Sequence, residues 1–388
     1  MIKTILHISN RPYAYTAGGT EVFLRNLINS SKAEFKHVIL GEELLRQVAQ
    51  DTDIEFKLFK CRHGEVNRST DRIKQLLLFP YTICFSFYYI FRNYNLFKNA
   101  DVVSLSTGSR NSIVNFSPIL HLLFPRKRQV YIHHGMMLDA KIYHTFPFKN
   151  ILTYFWNKLE MIYICNSQRE VWVNYGLNSG EMIYNAIEYK PLMLLPQETK
   201  TNSEYIKFLF VGRFSYQKGI DTMLKAFSQV NLTKTTKKIE LQLLGSGEDE
   251  EIIKKLIKEL NLESKIKIIF LGYKPPERFY KQADVCVFLS RSEGFGYTPI
   301  EAFNYGVPTI TSNILPFLEI KNFLKTEDKN KLIAKVNDVE SSVNAIEEFL
   351  IRIDYYTSKE YKVMLNQTVR DNFDVKQQAN KYINFYNK

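Results

Sequence analysis

The chain has 388 residues, of which 45% are hydrophobic and 24% are charged, so it is long enough for two cores and too apolar for a disordered chain. Its formal net charge is +12, and the excess is larger in the first half, where residues 1–190 carry 23 Lys and Arg against 15 Asp and Glu. This surplus favours anionic partners such as phosphorylated substrates, anionic lipid or nucleic acid, although a uniformly lysine-rich composition explains it equally well.

Short apolar segments alternate with amphipathic helices over residues 1–190. The opening MIKTILHISN is too short and too polar for a signal peptide and is typical of a first buried strand, predicted over 4–9. Repeated alternation of this kind indicates a parallel, doubly wound sheet. The other elements predicted here are helices over 20–31 and 168–175 and strands over 37–40, 56–59, 101–106, 129–134, 161–167 and 181–188.

The longest uncharged run is LLLFPYTICFSFYYIF at residues 76–91. Its 16 residues are fewer than a membrane span needs, and Pro80 interrupts it. Arg72, Lys74 and Arg92 bracket the run. Two interpretations remain open: a helix buried against the sheet, or an aromatic and basic face that lies on a membrane surface.

A proline-containing polar stretch that ends in QETKTNSE at 197–204 predicts a linker, and the strand–helix pattern then starts again. We therefore predict an N-terminal Rossmann-like domain over 1–190 and a C-terminal Rossmann-like domain over 205–370. Residues 371–388 are predicted to be a helix that packs back toward the N-terminal domain. Two such domains in tandem imply a cleft between them. Ligands of open parallel sheets bind beyond the carboxyl ends of the strands. The elements predicted after the linker are strands over 206–212, 239–245, 265–272, 284–290 and 308–312 and helices over 219–230, 248–260, 276–282, 299–305, 340–352 and 375–388.

The segment SEGFGYTPIEAFNYGVPTITSN at 292–313 carries the most specific pattern. Thr298 and Glu301 flank a Pro-Ile pair and predict a helix start at which Thr298 is the N-cap and Glu301 completes a capping box. This structural interpretation does not explain the preceding EGFG, where Gly294 and Gly296 leave the backbone bare. Bare N–H groups beside a helix N-terminus bind anions, and neighbouring carboxylates accept hydrogen bonds from hydroxyl groups. The pattern therefore indicates a polyhydroxylated, phosphorylated ligand.

The same segment resembles the Glu-x7-Glu signature of the retaining glycosyltransferases of family four, which have the GT-B fold of two Rossmann-like domains and an interdomain cleft. FLFVGRFSYQKGIDTMLKAF at 208–227 is similar to the family in the spacing of Arg213 and Lys218. The resemblance implies transfer of a hexose or N-acetylhexosamine from a nucleoside diphosphate sugar to an acceptor hydroxyl, with retained anomeric configuration. Other segments that resemble the family, in the expected order, are GGTEVFLRNL (18–27), YIHHG (131–135), ICNS (164–167), IYNAIE (183–188), LLGSGEDEE (243–251) and FLGYKPPERFYKQADVCVFLS (270–290).

The resemblance also implies that the domain over 1–190 binds the acceptor and that the domain over 205–370 binds the nucleotide sugar, and it implies roles for individual residues. Arg213 and Lys218 stabilise the diphosphate leaving group, which two cations can do without a metal ion. Glu301 accepts hydrogen bonds from the ribose hydroxyls, and Glu293 faces the hydroxyls of the transferred sugar. The donor-binding residues implied in this way are Gly18, Gly19, Arg213, Lys218, Gly245, Tyr273, Glu293, Gly294, Phe295, Gly296, Tyr297, Thr298 and Glu301.

A histidine at the end of the strand 129–134 is implied to touch the sugar and to align the acceptor. The order HG favours His134, with His133 as the alternative, and both are assigned to the acceptor side. The family explains retention by front-face attack, in which a phosphate oxygen takes the acceptor proton, so no side chain is assigned as general base. The catalytic residues implied are His134, Glu293, Arg213 and Lys218.

No cofactor and no metal ion are expected, and the donor substrate is a nucleoside diphosphate sugar with UDP favoured over GDP. Asp51 and Asp53 match the Asp-x-Asp pattern of metal-dependent glycosyltransferases of another fold. No apolar strand precedes them, so we interpret this DTD as a solvated turn. The four cysteines lack CxxC spacing and give no local zinc signature.

Two rival functions make distinct demands on the sequence. A nucleotide-sugar epimerase on the same fold would need further acid–base carboxylates in the N-terminal half, where the sequence has no such cluster. A nucleic-acid-binding module would need basic residues interleaved with exposed aromatics, whereas PRKRQ at 125–129 is typical of a turn before a strand. We therefore predict a cytoplasmic enzyme of bacterial surface polysaccharide or lipid-linked glycan synthesis, with a glycan or lipid-linked acceptor, a peripheral position on the inner membrane face as a hypothesis, and no nucleic acid partner.

Overall fold

The computed structural model describes residues 2–9, 19–41, 43–58, 84, 86–107, 116–134, 147–192 and 204–388. They form two compact units. The first unit comprises Met1–Ala186 and Val375–Lys388, and the second comprises Ile187–Asp374. Each unit is built on one parallel sheet.

The described strands of the first unit are β1 Lys3–Ser9, β2 Phe35–Gly41, β3 Glu55–Leu58, β4 Val102–Thr107, β5 Arg128–His133, β6 Glu160–Tyr163 and β7 Glu181–Met182. Their order across the sheet is β3-β2-β1-β4-β5-β6-β7, and neighbouring strands in this order are parallel. The chain order reverses between β1 and β4, which is the topological switch point of a Rossmann-like sheet. The loops that follow these two strands, 10–18 and 108–115, lie outside the described residues.

Helices pack on this sheet through apolar side chains, and a core cluster that includes Ile90, Trp156 and Trp172 fills the space between them. Residues 86–92 are helical, with Tyr89 and Ile90 buried but Tyr88 and Phe91 exposed, so this segment is amphipathic. The remainder of the run 76–91, except for Cys84, is not described. The named helices in this part of the chain are α1 Gly19–Ser31, α2 Leu44–Thr52, α3 Tyr94–Asn99, α4 Phe116–Leu123, α5 Phe148–Trp156 and α6 Asn166–Tyr175.

The described strands of the second unit are β8 Tyr205–Val211, β9 Lys238–Leu244, β10 Lys267–Gly272, β11 Val285–Phe288, β12 Thr309–Ser312 and β13 Ile333–Ala334. Their order is β10-β9-β8-β11-β12-β13, again with parallel pairing and with the reversal between β8 and β11. All four residues of β11 are buried, as expected for a central strand covered on both faces. The helices of this unit are α7 Ile220–Gln229, α8 Glu250–Glu259, α9 Glu277–Gln282, α10 Tyr297–Asn304, α11 Leu315–Asn322, α12 Val339–Ile351, α13 Ile353–Tyr356 and α14 Lys359–Asn372.

The final helix, α15 (Val375–Asn387), belongs to the first unit. Its Tyr382 ring lies 5.6 Å from the Phe23 ring of α1. Two cations bind its carboxyl end: Lys3 Nζ and Arg128 Nη1 donate to the Tyr386 carbonyl at 3.0 and 2.9 Å. Such cations stabilise a helix because they satisfy its last carbonyls and offset its dipole.

The prediction of two Rossmann-like parallel sheets is confirmed. Within the described ranges, no helix combines the length and the apolar character that crossing a membrane requires.

Candidate active site

The candidate site lies at the switch point of the second sheet, where β8 and β11 are neighbours. Ligands of open parallel sheets bind outside the carboxyl ends of the strands at this point. The loop after β8 carries Arg213 and Lys218, and the loop after β11 carries Glu293. The strand order thus brings together charged residues that are about 75 positions apart in the sequence.

Strands β8, β9 and β10 each end at a glycine or immediately before one. Gly212 N donates to the Leu244 carbonyl at 3.0 Å, and Gly245 N donates to the Gly272 carbonyl at 3.0 Å. Gly245 has a φ of +145°, and a Cβ there would lie 1.9 Å from the Gly212 carbonyl oxygen, so only glycine fits. The neighbouring Tyr273 is 69% exposed. Gly245 and Tyr273 therefore lie at the same carboxyl edge of the sheet as the loop after β8, which carries Arg213 and Lys218.

Lys218 and Glu293 form an ion pair, with 2.7 Å between Lys218 Nζ and Glu293 Oε1. Their side chains are only 21% and 13% exposed. Ser290 Oγ donates to the same carboxylate oxygen at 2.8 Å. This ion pair links the loop after β8 to the loop after β11.

Arg213 is exposed at the end of β8. Among the residues that the structure describes, its guanidinium has neither an ion pair nor a hydrogen bond. Arg213 therefore offers five N–H donors to an anion at the strand ends.

Helix α10 begins at Tyr297, and Gly296 is its N-cap with φ +103° and ψ 67°. A Cβ at Gly296 would lie 2.7 Å from the Phe317 ring, so the helix entry depends on glycine. The prediction that Thr298 caps the helix and forms a capping box with Glu301 is wrong, because the left-handed turn at Gly296 starts the helix earlier and no side chain caps it. Gly294, Phe295, Gly296, Tyr297 and Thr298 therefore form the approach to an uncapped helix N-terminus, which is positively polarised.

Glu301 lies one turn into α10 and accepts a hydrogen bond from Tyr280 Oη at 2.9 Å. Burial raises the pKa of Glu301, and the Tyr280 hydrogen bond and the charge of Lys218 only partly offset this effect. Tyr297 lies one helical turn before Glu301, and its buried hydroxyl has no hydrogen-bond partner within the described ranges. A hydroxyl donor and a carboxylate acceptor thus lie on one face of α10, close to Lys218.

The two candidate histidines have different surroundings. His133 is 2% exposed, and the nearest rings of Tyr131, Trp172 and Tyr163 have centroids 4.2, 4.5 and 5.4 Å from its own. His134 follows β5, is partly buried, and has its ring centroid 4.7 Å from that of Phe23. Burial lowers the pKa of His134 to about 3, so its imidazole is neutral at physiological pH. This placement favours His134 over His133 for contact with a ligand.

The structure gives less information on the roles of the other residues singled out in the sequence. Gly19 is the first residue of α1, whereas Gly18 lies outside the described residues. Asp51 lies in the last turn of α2, accepts a hydrogen bond from Gln47 and pairs with Arg25, and Asp53 is the C-cap with a φ of 55°. Of the DTD predicted to be a turn, only Asp53 therefore lies outside the helix. Within the described ranges, no three or more His, Cys, Asp or Glu side chains gather closely enough to hold a metal ion.

Sequence reasoning missed several residues around these loops. Arg291 pairs with Asp221, which lies 70 positions earlier. Tyr280 binds Glu301 from the neighbouring helix α9. Neither contact has a local sequence signal, because each depends on the packing of distant segments.

Residues 194–358 match the family model of the glycosyl transferases group 1. The matched range contains both charged loops and the whole of α10. This match, together with the similar proteins and solved structures described below, supports a glycosyltransferase. Nothing in them supports the alternative of a nucleotide-sugar epimerase.

Three relatives show how far the similarity to known glycosyltransferases extends. An uncharacterized glycosyltransferase of Methanocaldococcus jannaschii is 34% identical over 29% of this chain and 28% of its own length. An uncharacterized 41.2 kDa protein in the cps region of Klebsiella pneumoniae is 24% identical over 85% of this chain and 88% of its own length. The O-antigen biosynthesis glycosyltransferase WclY of Escherichia coli is 29% identical over 44% of this chain and 43% of its own length. The match thus covers less than half of the two relatives named as glycosyltransferases.

The fold is also similar to that of solved structures. Anabaena HepE in complex with UDP and glucose superposes with a TM-score of 0.73 over 99% of both chains, at 15% sequence identity. At this identity the likeness shows the fold alone, which is GT-B with two Rossmann-like domains.

Proposed function

We propose that the protein is a retaining, metal-independent glycosyltransferase of family four. It moves a hexose or N-acetylhexosamine from a nucleoside diphosphate sugar, with UDP favoured over GDP, to an acceptor hydroxyl. The observation that carries this proposal is the meeting of Arg213, Lys218, Glu293 and Glu301 at the switch point between β8 and β11. The group 1 match over residues 194–358 supports the same reaction class.

Arg213 and Lys218 stabilise the leaving diphosphate in this mechanism. Negative charge grows on the phosphate oxygen as its bond to the anomeric carbon breaks, and preorganised cations stabilise such charge most strongly where water is scarce. Each charge-assisted hydrogen bond contributes roughly 1.5–3 kcal/mol. Glu293 holds hydroxyls of the transferred sugar, and Glu301 accepts from the ribose hydroxyls while Tyr297 Oη donates beside it.

Retention follows from attack on the face that the diphosphate leaves. The bond between the anomeric carbon and the phosphate oxygen breaks, and a bond to the acceptor oxygen forms on the same side. The acceptor proton passes to the departing phosphate oxygen, so no protein base is needed. His134 is neutral and positions the sugar or the acceptor instead of taking this proton.

A panel of UDP- and GDP-sugars, incubated with and without candidate polysaccharide acceptors, tests the reaction. We expect nucleotide release that depends on the acceptor and persists in excess EDTA, and ¹H NMR of the product should show the anomeric configuration of the donor. Isomerised donor without transfer would contradict the proposal, and so would activity that EDTA abolishes and divalent metal restores.

The acceptor is proposed to be a glycan or lipid-linked glycan of bacterial surface polysaccharide synthesis, reached from a peripheral position on the inner membrane face. The similarity to an O-antigen biosynthesis glycosyltransferase supports this assignment. The surface around residues 86–94 also supports it, because Tyr88, Phe91 and Tyr94 are 53%, 62% and 44% exposed and Arg92 lies among them. Aromatic side chains with nearby cations suit an anionic lipid interface.

Cosedimentation with anionic vesicles at low salt tests the membrane assignment. Replacing Tyr88, Phe91 and Tyr94 together by serine is expected to lower the bound fraction at least tenfold, because the apolar area available for insertion is lost. Ile252→Ser removes an equally exposed apolar side chain on α8 and should leave binding unchanged. If the native protein does not bind such vesicles, the acceptor is soluble.

A further inference from the structure

The side chain of Arg291 joins three segments of the second unit. Its guanidinium forms a bidentate pair with Asp221, at 2.9 and 2.8 Å, and its Nε donates to Asn337 Oδ1 at 2.6 Å. Nη1 also donates to the Tyr216 carbonyl, and Nη2 lies 3.4 Å from Thr222 Oγ1. All five N–H donors therefore have partners, and the side chain is only 12% exposed.

The same arginine stacks on the loop after β8. Its Cζ lies 3.8 Å from the centre of the Tyr216 ring. The backbone reinforces this contact, because Arg291 N donates to the Gln217 carbonyl at 2.7 Å and Gln217 Nε2 donates to the Ser292 carbonyl at 2.7 Å. Residues 216–218 and 291–293 are thus held together by a set of contacts centred on Arg291.

The ion pair of the candidate site lies on these same two segments. Lys218 comes two residues after Tyr216, and Glu293 comes two residues after Arg291. Burial favours the neutral form of Asp221, but the hydrogen bonds and charge of Arg291, the Thr222 backbone N–H and the charge of Lys225 together outweigh burial and lower the pKa of the carboxyl. Asp221 therefore stays ionised and keeps the guanidinium in place through physiological pH.

We propose that Arg291 is a positioning residue that fixes Lys218 and Glu293 for the diphosphate and the sugar, with Asp221 as its anchor. Arg291 does not itself touch the ligand, since its donors are already occupied. Its planar fork is required, because a lysine cannot make the bidentate pair and the stacking contact together. The role in turnover rests on the proposed function, whereas the effect on the two loops does not.

The second unit offers a matched control pair. Arg352 forms a bidentate pair with Asp328 at 2.8 and 3.0 Å and has its Cζ 4.5 Å from the centre of the Tyr355 ring. This pair joins α12 to the segment before β13, away from both loops of the site. Arg352→Lys therefore removes a similar set of contacts without touching Lys218 or Glu293.

Hydrogen exchange measured on the whole protein tests the positioning role without any assay of activity. In Arg291→Lys and in Asp221→Asn, the amides of residues 214–219 and 290–296 are expected to exchange at least fivefold faster than in the native protein. In Arg352→Lys these amides should exchange at the native rate. Equal exchange in Arg291→Lys and Arg352→Lys would overturn the proposal.

Steady-state kinetics with the preferred donor are the second test of the positioning role of Arg291. Arg291→Lys is expected to lower kcat about 10–100-fold with a smaller change in KM, since misplacement of a catalytic group by about 1 Å costs this much. In the Lys218→Ala background the same change should lower kcat by a clearly smaller factor than in the native enzyme, because one of the two residues that Arg291 positions is already gone. If the loss of kcat in the double variant equals the product of the losses in the two single variants, the proposal is overturned. If the native protein transfers no sugar from any donor, the proposed function fails and hydrogen exchange alone decides the role of Arg291.

Discussion

Replacing Lys218 by alanine is expected to lower kcat/KM about 10²–10³-fold, the loss typical for removal of one preorganised group that stabilises charge in a transition state. The loss has two physical causes. The leaving diphosphate loses a cation, and Glu293, whose side chain is 13% exposed, loses its ion-pair partner next to the phosphates. Both changes raise the energy of the transition state, so kcat should fall more than KM rises.

Steady-state kinetics with purified variants measure this loss, and Lys254→Ala is the matched control. Lys254 pairs with Glu251 at 2.9 Å on helix α8, so its removal breaks an ion pair of similar length but greater exposure elsewhere in the same unit. Kinetic constants of the control should stay within about twofold of the native values, because exposed pairs of this kind contribute little. A folded Lys218→Ala enzyme with native kcat/KM would contradict the assignment of Lys218 to the leaving group.

The sheets of both units could be predicted from the sequence because their central strands are short, continuous apolar runs between turn signals. For β1, β8 and β9 the predicted bounds differ from the observed ones by one residue at most. The strand predicted over 161–167 is an exception. It ends at Tyr163, since Gln168 Oε1 accepts from Ile164 N and the chain turns into α6 at Asn166.

Helix α14 was not predicted, because its buried face is partly polar. It buries Tyr361, Leu365 and Val369 at a spacing of four residues, but Asn366 and Thr368 are buried beside them and weaken the apolar pattern. Asn366 donates to the carbonyls of Lys190 and Asn304, and these bonds compensate for its burial. Polar burial of this kind depends on partners that are distant in the sequence.

The sequence indicates on which edge of the sheet Lys218 and Glu293 lie, but it does not indicate which contacts they make. The positions of Lys218 and Glu293 after apolar strands place both at the carboxyl edge of a sheet. Their ion pair follows only once β8 and β11 are known to be neighbours. The five contacts of Arg291 and the bond from Tyr280 to Glu301 require three-dimensional packing, which spacing does not encode.

Replacing Glu301 by glutamine or alanine is expected to weaken binding of the nucleoside diphosphate about 10–100-fold. The estimate follows from loss of one charge-assisted hydrogen bond to the ribose, worth roughly 1.5–3 kcal/mol. Because burial raises the pKa of Glu301, binding by the native protein should also weaken as the pH falls, from a higher pH than for an ordinary glutamate. The ionised carboxylate accepts charge-assisted hydrogen bonds, and its protonation removes the charge and part of the acceptor capacity. Binding by Glu301→Gln should lack this component of the pH dependence.

Glu348→Gln is the control for this prediction, because Glu348 likewise accepts a hydrogen bond from a tyrosine, Tyr356 Oη, at 3.2 Å. Its affinity for the nucleotide should match that of the native protein. The two variants therefore separate an effect on the ligand from a general effect of neutralising a carboxylate that is hydrogen-bonded to a tyrosine.

Calorimetric titration of UDP into the native protein, Glu301→Gln and Glu348→Gln, with EDTA present, tests most directly whether a nucleoside diphosphate binds at the carboxyl ends of β8 and β11. We predict one bound nucleotide per chain for the native protein and for Glu348→Gln, and a Kd at least tenfold higher for folded Glu301→Gln. Equal affinities for UDP in all three proteins would contradict the account.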